Sequence, residues 1–136
     1  MFAASPILSV MADDITTRAD IDSLLRAFYN RALVDAEIGY FFTDVAHLDL
    51  EAHLPRIGNF WEQVLLHRPV YTGNPMAVHF HLHSASPIAA THFRRWLVLW
   101  AETVDGSFAG PVAEEAKRRA AIIAETMKAR LGIGEG

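Results

Sequence analysis

The chain has 136 residues, which fits one domain with a substantial core. About half of its residues are hydrophobic (51%), which excludes a disordered protein. The net charge is −4 and Lys and Arg are scattered, so we expect no nucleic-acid partner. The absence of cysteine excludes disulfides, thiolate metal sites, iron–sulfur clusters and cysteine nucleophiles. Any bound metal would therefore take imidazole, carboxylate, phenolate or thioether ligands.

We expect no targeting or membrane signal in the N-terminal segment. Its first basic residue is Arg18, and no apolar run in the chain approaches the roughly 20 residues of a membrane span. We expect a cytoplasmic protein without a membrane partner. The predicted organisation is a flexible extension over residues 1–14, one domain over residues 15–132 and a tail over residues 133–136. Either Met1 or Met11 would serve as the start of translation.

The first predicted helix has apolar residues at i, i+3, i+4 and i+7 over residues 21–33. Thr17, with Asp20 three residues later, is typical of an N-cap. Tyr29 follows Phe28 and lies at the edge of the apolar face. Residues 35–42 are rich in aromatics and are predicted to form a turn or a short helix.

The second predicted helix carries an apolar face over residues 50–65. His53 shares that side, since it lies four residues before Ile57 and seven before Phe60. Pro55 would remove a hydrogen bond from a helix interior. The sequence therefore predicts that the regular helix begins near His53 or kinks there, and that residues 67–75 form a loop.

The histidine-rich stretch after this loop allows two interpretations. Over residues 78–83, histidines alternate with apolar side chains. As a strand, the stretch would place His79, His81 and His83 on one face to bind zinc or copper. A lone strand has no partner for its backbone groups, so a helical turn is favoured. In that turn His79 and His83 share a face and His81 points away.

Two further helices complete an all-α domain. Ser86-Pro87 is typical of a helix start, and large apolar residues over 93–104 form a stripe that ends at Asp105-Gly106. Gly110-Pro111 opens the last helix, which Gly132 closes.

A lone histidine on an apolar face is more often a core residue than a ligand. Here His79 lies between two helices whose apolar faces carry His53, Trp61 and Trp96. One imidazole facing bulky apolar walls and a few polar groups is what a haem pocket needs.

These residues resemble the truncated haemoglobins, and most closely the third group of that bacterial family. The resemblance spans residues 21–131. Its specific parts are Phe28-Tyr29, Phe42, His53 followed by Ile57-Gly58-Asn59-Phe60-Trp61, then Tyr71-x-Gly73-x-Pro75 before His79, and His92-Phe93-x-x-Trp96-Leu97.

The resemblance implies a shortened globin fold, with two helices crossed over two around haem b (iron protoporphyrin IX). It implies His79 as the proximal iron ligand and Tyr29, His53 and Trp96 as the distal residues. His53 would bond to the bound ligand, swing outward as a gate or bind the iron as a sixth ligand. The implied contacts to the cofactor are Phe28, Phe42, Ile57, Phe60, Trp61, Tyr71, Met76 and Phe93, with Arg56 reaching a haem propionate.

The implied function is reversible binding of oxygen, carbon monoxide and nitric oxide, with Tyr29 and Trp96 as hydrogen-bond donors. The alternative from another class is a haem enzyme that turns over nitric oxide or peroxide. Such turnover needs electrons, and the chain has no flavin or nicotinamide motif, so it would require a separate reductase.

Overall fold

Residues 12–134, which this computed structural model describes, form five α-helices and a π-helical turn, with no strand among them. The all-α prediction is confirmed. None of the described helices is long and apolar enough to cross a membrane. The helices are α1 (Arg18–Ala32), α2 (Leu50–Leu66), α3 (Pro75–Ala85), α4 (Ala90–Ser107) and α5 (Pro111–Leu131), and the π-helical turn is Phe41–Val45.

The core lies where α1, α2, α4 and α5 pack together. α1 packs against α2 and α4, and α5 packs against α4 and α2. At the centre, Trp100 of α4 is 2% exposed and Phe28 of α1 meets it edge-on at 5.3 Å between ring centroids. α3 contacts only α5 and the π-helical turn among the described elements, and none of its residues is buried. It therefore forms a thin wall on the outside of the packed core.

The crossing of α1 and α2 depends on Arg18. Its Nη1 donates to Asn59 Oδ1 at 2.7 Å and to Glu62 Oε1 at 2.8 Å. Gly58 leaves room for the guanidinium, because a Cβ there would lie 2.6 Å from Arg18 Nη2. The ion pair with Arg18 is the main cause that lowers the pKa of Glu62. The Gly58-Asn59 pair thus holds α1 against α2, and fixes the side of α2 that faces the interior.

Two helix starts differ from the sequence prediction. α2 begins at Leu50, not near His53, because the Asp49 side chain accepts from Ala52 N at 3.4 Å and caps the first turn. Pro55 consequently lies inside the helix. α4 begins at Ala90 and not at Ser86-Pro87.

Imidazole groups explain the late start of α4. His83 Nδ1 accepts from Ile88 N and His92 Nδ1 accepts from Ala89 N, both at 2.9 Å. Ala89 keeps an extended backbone, with φ −104° and ψ 164°. Two successive N–H groups before the helix are therefore satisfied by side chains, and the helix starts after them. α4 also continues to Ser107, past the predicted end at Asp105-Gly106.

The other predicted helix ends are present. Thr17 and Asp20 form a capping box at α1, and Gly132, with φ 73°, closes α5. Residues 1–11 of the predicted extension lie outside the described residues. The Asp14 carboxylate accepts from Val112 N at 2.9 Å and from Ala113 N at 2.8 Å. The segment around Asp14, which precedes α1, is therefore hydrogen-bonded to the first turn of α5.

Candidate functional site

A cavity of about 690 Å³ lies between α3 and the packed helices. Every described helix and the π-helical turn contribute to its wall. Its volume is within the range of pockets that enclose a small organic molecule or cofactor. Most of the wall is aliphatic or aromatic, and the polar groups in it belong to two tyrosines, four histidines and two tryptophans. Such a lining suits a large, flat and mainly apolar ligand.

The structure brings most of the predicted site residues into this one cavity. They come from four helices, the π-helical turn and the loop after α2, and they are far apart in the sequence. The predicted residues that line the cavity are Tyr29, Phe42, His53, Ile57, Phe60, Trp61, Tyr71, His79, Phe93 and Trp96.

Three predicted contacts lie elsewhere. Phe28 is 2% exposed and is edge-on to Trp96 and Trp100, so it belongs to the core behind the cavity. The helix turns by about 100° per residue, and therefore only Tyr29 of this pair reaches the cavity wall. Met76 packs against the core from the first turn of α3. Arg56 is exposed on α2 and does not line the cavity.

The tautomer of His79 is fixed by a backbone carbonyl. Its Nδ1 lies 2.8 Å from the carbonyl oxygen of Pro75, and because that oxygen only accepts, Nδ1 carries the proton. Nε2 then has a free lone pair, as a metal ligand requires. Burial lowers the pKa of His79, and the bond to Pro75 opposes this shift. The ring is therefore neutral at neutral pH and presents one nitrogen suited to a metal.

The position of His79 follows from the local sequence. Pro75 occupies the first turn of α3, where its missing N–H costs nothing. The Asn74 side chain accepts from Ala77 N at 3.0 Å and caps the helix. Starting the helix there places the imidazole one turn after Pro75, within reach of its carbonyl. The Asn-Pro pair thus determines both the start of α3 and the orientation of the ring.

Tyr29 and His53 form the polar part of the wall. The Tyr29 hydroxyl lies 2.9 Å from His53 Nε2, and the two rings are nearly perpendicular. Tyr29 is 7% exposed, and burial raises the pKa of its hydroxyl, so it stays protonated. Burial, and then the nearby charge of Arg56, lowers the pKa of His53. At neutral pH the pair is consequently an uncharged phenol beside an uncharged imidazole.

Two stacked tryptophans have different roles. Trp96 lines the cavity and is stacked on Trp100, with ring centroids 6.3 Å apart. Trp100 Nε1 donates to the Ala116 carbonyl at 3.0 Å, so its N–H is already used in a hydrogen bond within the core. No hydrogen bond joins the Trp96 indole to another residue within 12–134, and none of its polar atoms is buried without a partner. Its N–H is therefore not bonded to another residue of the part of the chain that the structure describes.

Sequence reasoning missed part of the wall. His81, which was expected to point away, and His92, which received no role, both line the cavity. The last helix contributes Ile123, Ala124 and Met127. Hydrophobic periodicity predicts a buried face on this helix, and the same apolar pattern serves both a core and a cavity wall. The remaining unpredicted lining residues are Ile38, Phe41, Val45, Ala46, Leu48, Pro75, Val78, Leu82, Ala85 and Ile88.

The alternative of a zinc or copper site finds no support. His79, His81 and His83 lie on a helix and not on a strand, so they do not share one face. His83 Nδ1 is already an acceptor for Ile88 N. Within residues 12–134, no group of three or more His, Asp or Glu side chains is arranged to hold a metal ion.

Comparison with known proteins is consistent with this geometry. No family model matches the chain. The chain is similar to the group 3 truncated haemoglobin Ctb of Campylobacter jejuni, with 28% identity over 98 residues, covering 70% of this chain and 75% of that protein. Its fold is similar to the crystal structure of a group III truncated haemoglobin from Campylobacter jejuni, with a TM-score of 0.78 and 27% identity. That match covers 89% of this chain and 95% of the other.

Proposed function

Because the chain shares its fold and its sequence pattern with the group 3 truncated haemoglobins, we propose that it binds haem b and small diatomic ligands. Haem would supply the iron that binds oxygen, carbon monoxide or nitric oxide. The observation that carries the proposal is His79, whose Nδ1–H is held by Pro75 while Nε2 is left as a lone pair in a large apolar cavity.

His79 would be the protein ligand on one side of the cofactor. A backbone carbonyl that accepts from the other ring nitrogen fixes the ring and makes Nε2 more basic. The apolar walls would bury the porphyrin and exclude water from it. Phe60, Trp61 and Phe93 are three of the large aromatic residues in this wall that are also predicted from the sequence.

Tyr29 and Trp96 would donate hydrogen bonds to a diatomic ligand. The Tyr29 hydroxyl remains protonated, and its bond to His53 exists with either imidazole tautomer. When the proton is on Nε2, His53 donates to the hydroxyl oxygen and the tyrosine proton stays free for the ligand. His53 would thus hold Tyr29 in position, and not only act as a gate. A neutral hydrogen bond contributes about 0.5–1.5 kcal/mol, or up to roughly tenfold in affinity.

Absorption spectra of the purified protein test the proposal. We expect the ferric, ferrous and ferrous–carbon monoxide forms of a haem b protein, with a shifted band on adding carbon monoxide. The variant His79→Gly should lose stable haem binding, and added imidazole should restore it by replacing the missing ligand. A protein that binds no haem even after reconstitution would contradict the proposal.

A further inference from the structure

The wall of the cavity carries no charged side chain. No Lys, Arg, Asp or Glu lines it among the described residues, and Arg56, the predicted propionate contact, is exposed on α2 outside it. Haem b has two propionates, which are carboxylates at neutral pH. A carboxylate that leaves bulk water needs hydrogen-bond donors to offset its loss of hydration. The donors that this wall can offer to the propionates are therefore uncharged.

Four imidazoles line the cavity, and they differ in what their ring nitrogens can do. His53 is bonded to Tyr29 through Nε2, and His79 keeps Nε2 as a lone pair. The ring of His81 is exposed, and no hydrogen bond within residues 12–134 fixes its tautomer. His92 is half-buried, and a hydrogen bond fixes its tautomer. Of these four rings, His92 is therefore the one that presents an N–H set in place before a ligand binds.

The His92 ring is held by a backbone N–H and by two aromatic rings. Its Nδ1 accepts from Ala89 N at 2.9 Å, so Nδ1 carries no proton and the proton of the neutral ring lies on Nε2. The ring meets Phe41 edge-on, with 4.9 Å between centroids, and Tyr40 with 6.1 Å. No other hydrogen bond of this ring occurs in the part of the chain that the structure describes. His92 thus supplies an oriented donor in the cavity wall.

We propose that Nε2–H of His92 donates a hydrogen bond to a propionate of haem b. This inference rests on the proposed haem function. A hydrogen bond to an ionised acceptor is roughly twice as strong as one between neutral groups, so a single N–H has a measurable effect on haem retention. Donation through Nε2 leaves Nδ1 free to accept from Ala89 N. The same ring would therefore stabilise both the start of α4 and the bound cofactor.

His92 would also restrict the porphyrin in a way that His79 does not. The bond from His79 to the iron is perpendicular to the porphyrin plane and leaves the porphyrin free to turn about it. A second contact at the porphyrin edge prevents this rotation. His79 belongs to α3 and His92 to α4, so the two contacts would hold the cofactor to two different helices of the wall.

Replacement of His92 by Glu and by Gln tests the contact. His92 is the third residue of α4, where both Glu and Gln accept from the N–H of the N-cap residue, so each variant keeps an acceptor for Ala89 N. Gln also keeps an N–H donor, whereas Glu has none and carries a negative charge. Transfer of haem to excess apomyoglobin should be about tenfold faster or more from His92→Glu than from His92→Gln. His92→Gln should stay within about threefold of the wild type.

The dimethyl ester of haem b and a second histidine supply the controls. Neither side chain of the ester is ionised, so with the ester the two His92 variants should differ by less than about threefold. His83 also accepts a backbone N–H through Nδ1, from Ile88, but it does not line the cavity. His83→Glu and His83→Gln should therefore release haem b at similar rates. A difference between the His92 variants that is equal for haem b and its ester, or absent with haem b, would overturn the proposal.

The tautomer of His92 gives a readout that does not depend on haem release. In the carbon monoxide form labelled with nitrogen-15 histidine, Nε2 of His92 should carry the proton, and this proton should exchange with water more slowly with haem b than with its ester. A proton on Nδ1, or equal exchange with both cofactors, would overturn the assignment while leaving the haem function intact. A chain that takes up neither haem b nor the ester would instead contradict the proposed function, before any variant is compared.

Discussion

The hydroxyl of Tyr29 and Nε2 of His53 lie 2.9 Å apart and join α1 to α2 at the wall of the cavity. The ring of Phe42 also meets Tyr29 edge-on, with 5.7 Å between the ring centroids. A phenol held between an imidazole and an aromatic ring has a defined orientation. This relationship makes the proposed distal role of Tyr29 testable by single substitutions.

Tyr29→Phe removes the hydroxyl and keeps the ring contacts. Dissociation of oxygen should become faster by up to about tenfold, because one neutral hydrogen bond to the ligand is lost. Stopped-flow displacement of oxygen by carbon monoxide measures the rate. Tyr40→Phe is the control, since Tyr40 stacks on Phe41 and does not line the cavity. Equal rates for Tyr29→Phe and the wild type would remove Tyr29 from the ligand site.

Trp96→Phe keeps an aromatic ring in the wall and removes the indole N–H. We expect faster oxygen release, because Trp96 has no hydrogen-bond partner within residues 12–134 and its N–H is free for the ligand. Trp100→Phe should act differently, since it breaks the bond to the Ala116 carbonyl and lowers the midpoint of thermal unfolding. An unchanged release rate in Trp96→Phe would leave Trp96 as a wall residue only.

Single alanine substitutions distinguish the roles of the three α3 histidines in haem binding. His79→Ala should abolish stable haem binding, because no other residue supplies Nε2 at that position. His81→Ala and His83→Ala should retain the haem spectrum, although His83→Ala also loses the acceptor for Ile88 N. Transfer of haem to an excess of apomyoglobin measures retention. Equal losses in all three variants would revive a shared three-histidine site.

Asp35→Asn tests a half-buried ion pair. Asp35 Oδ1 accepts from Arg95 Nε at 2.9 Å and Nη2 at 2.7 Å, and its side chain is 6% exposed. The bond from Arg95 is the main cause that lowers the pKa of Asp35. For a lowered carboxyl pKa, the stabilisation is complete above the unfolded-state value of about 3.9 and is lost as pH falls through the folded-state value.

The wild type should therefore unfold at a higher temperature than Asp35→Asn at pH 6–7, and the difference should shrink as pH falls below about 4. Thermal unfolding followed by circular dichroism over this range measures it. Asp105→Asn is the control, because the pair of Asp105 with Lys117 is at the surface, where such pairs contribute little. A difference between wild type and Asp35→Asn that is independent of pH would contradict the assignment.

Asp14→Ala tests the attachment of the chain start to α5. The variant leaves Val112 N and Ala113 N without their acceptor, which is equivalent to removing an N-cap. The free energy of unfolding should fall by about 0.5–2 kcal/mol. Urea unfolding measures the change. Asp13→Ala should have little effect, because Asp13 contributes only its backbone carbonyl to Ala109 N. Equal losses in the two variants would show that the carboxylate of Asp14 is not the cap.

The sequence by itself determined the helices, the resemblance to a known family and ten of the residues that line the cavity. Periodicity identifies buried faces, and residues such as Thr17, Pro111 and Gly132 mark helix ends by local chemistry that needs no tertiary contact. The recognition of the third group of truncated haemoglobins is confirmed by the comparisons in both sequence and fold.

Only the tertiary structure decided what each buried face meets. Phe28 and Tyr29 are adjacent on α1, yet the crossing of α1 with α4 puts one in the core and the other in the cavity. Met127 lies on the apolar face of α5 and lines the cavity, and hydrophobic periodicity alone does not distinguish a face that meets a helix from one that meets a ligand. The start of α4 depended on His83, which accepts from a residue in the connection between α3 and α4. Local sequence sets which side of a helix is buried, but the packing of helices sets its partner.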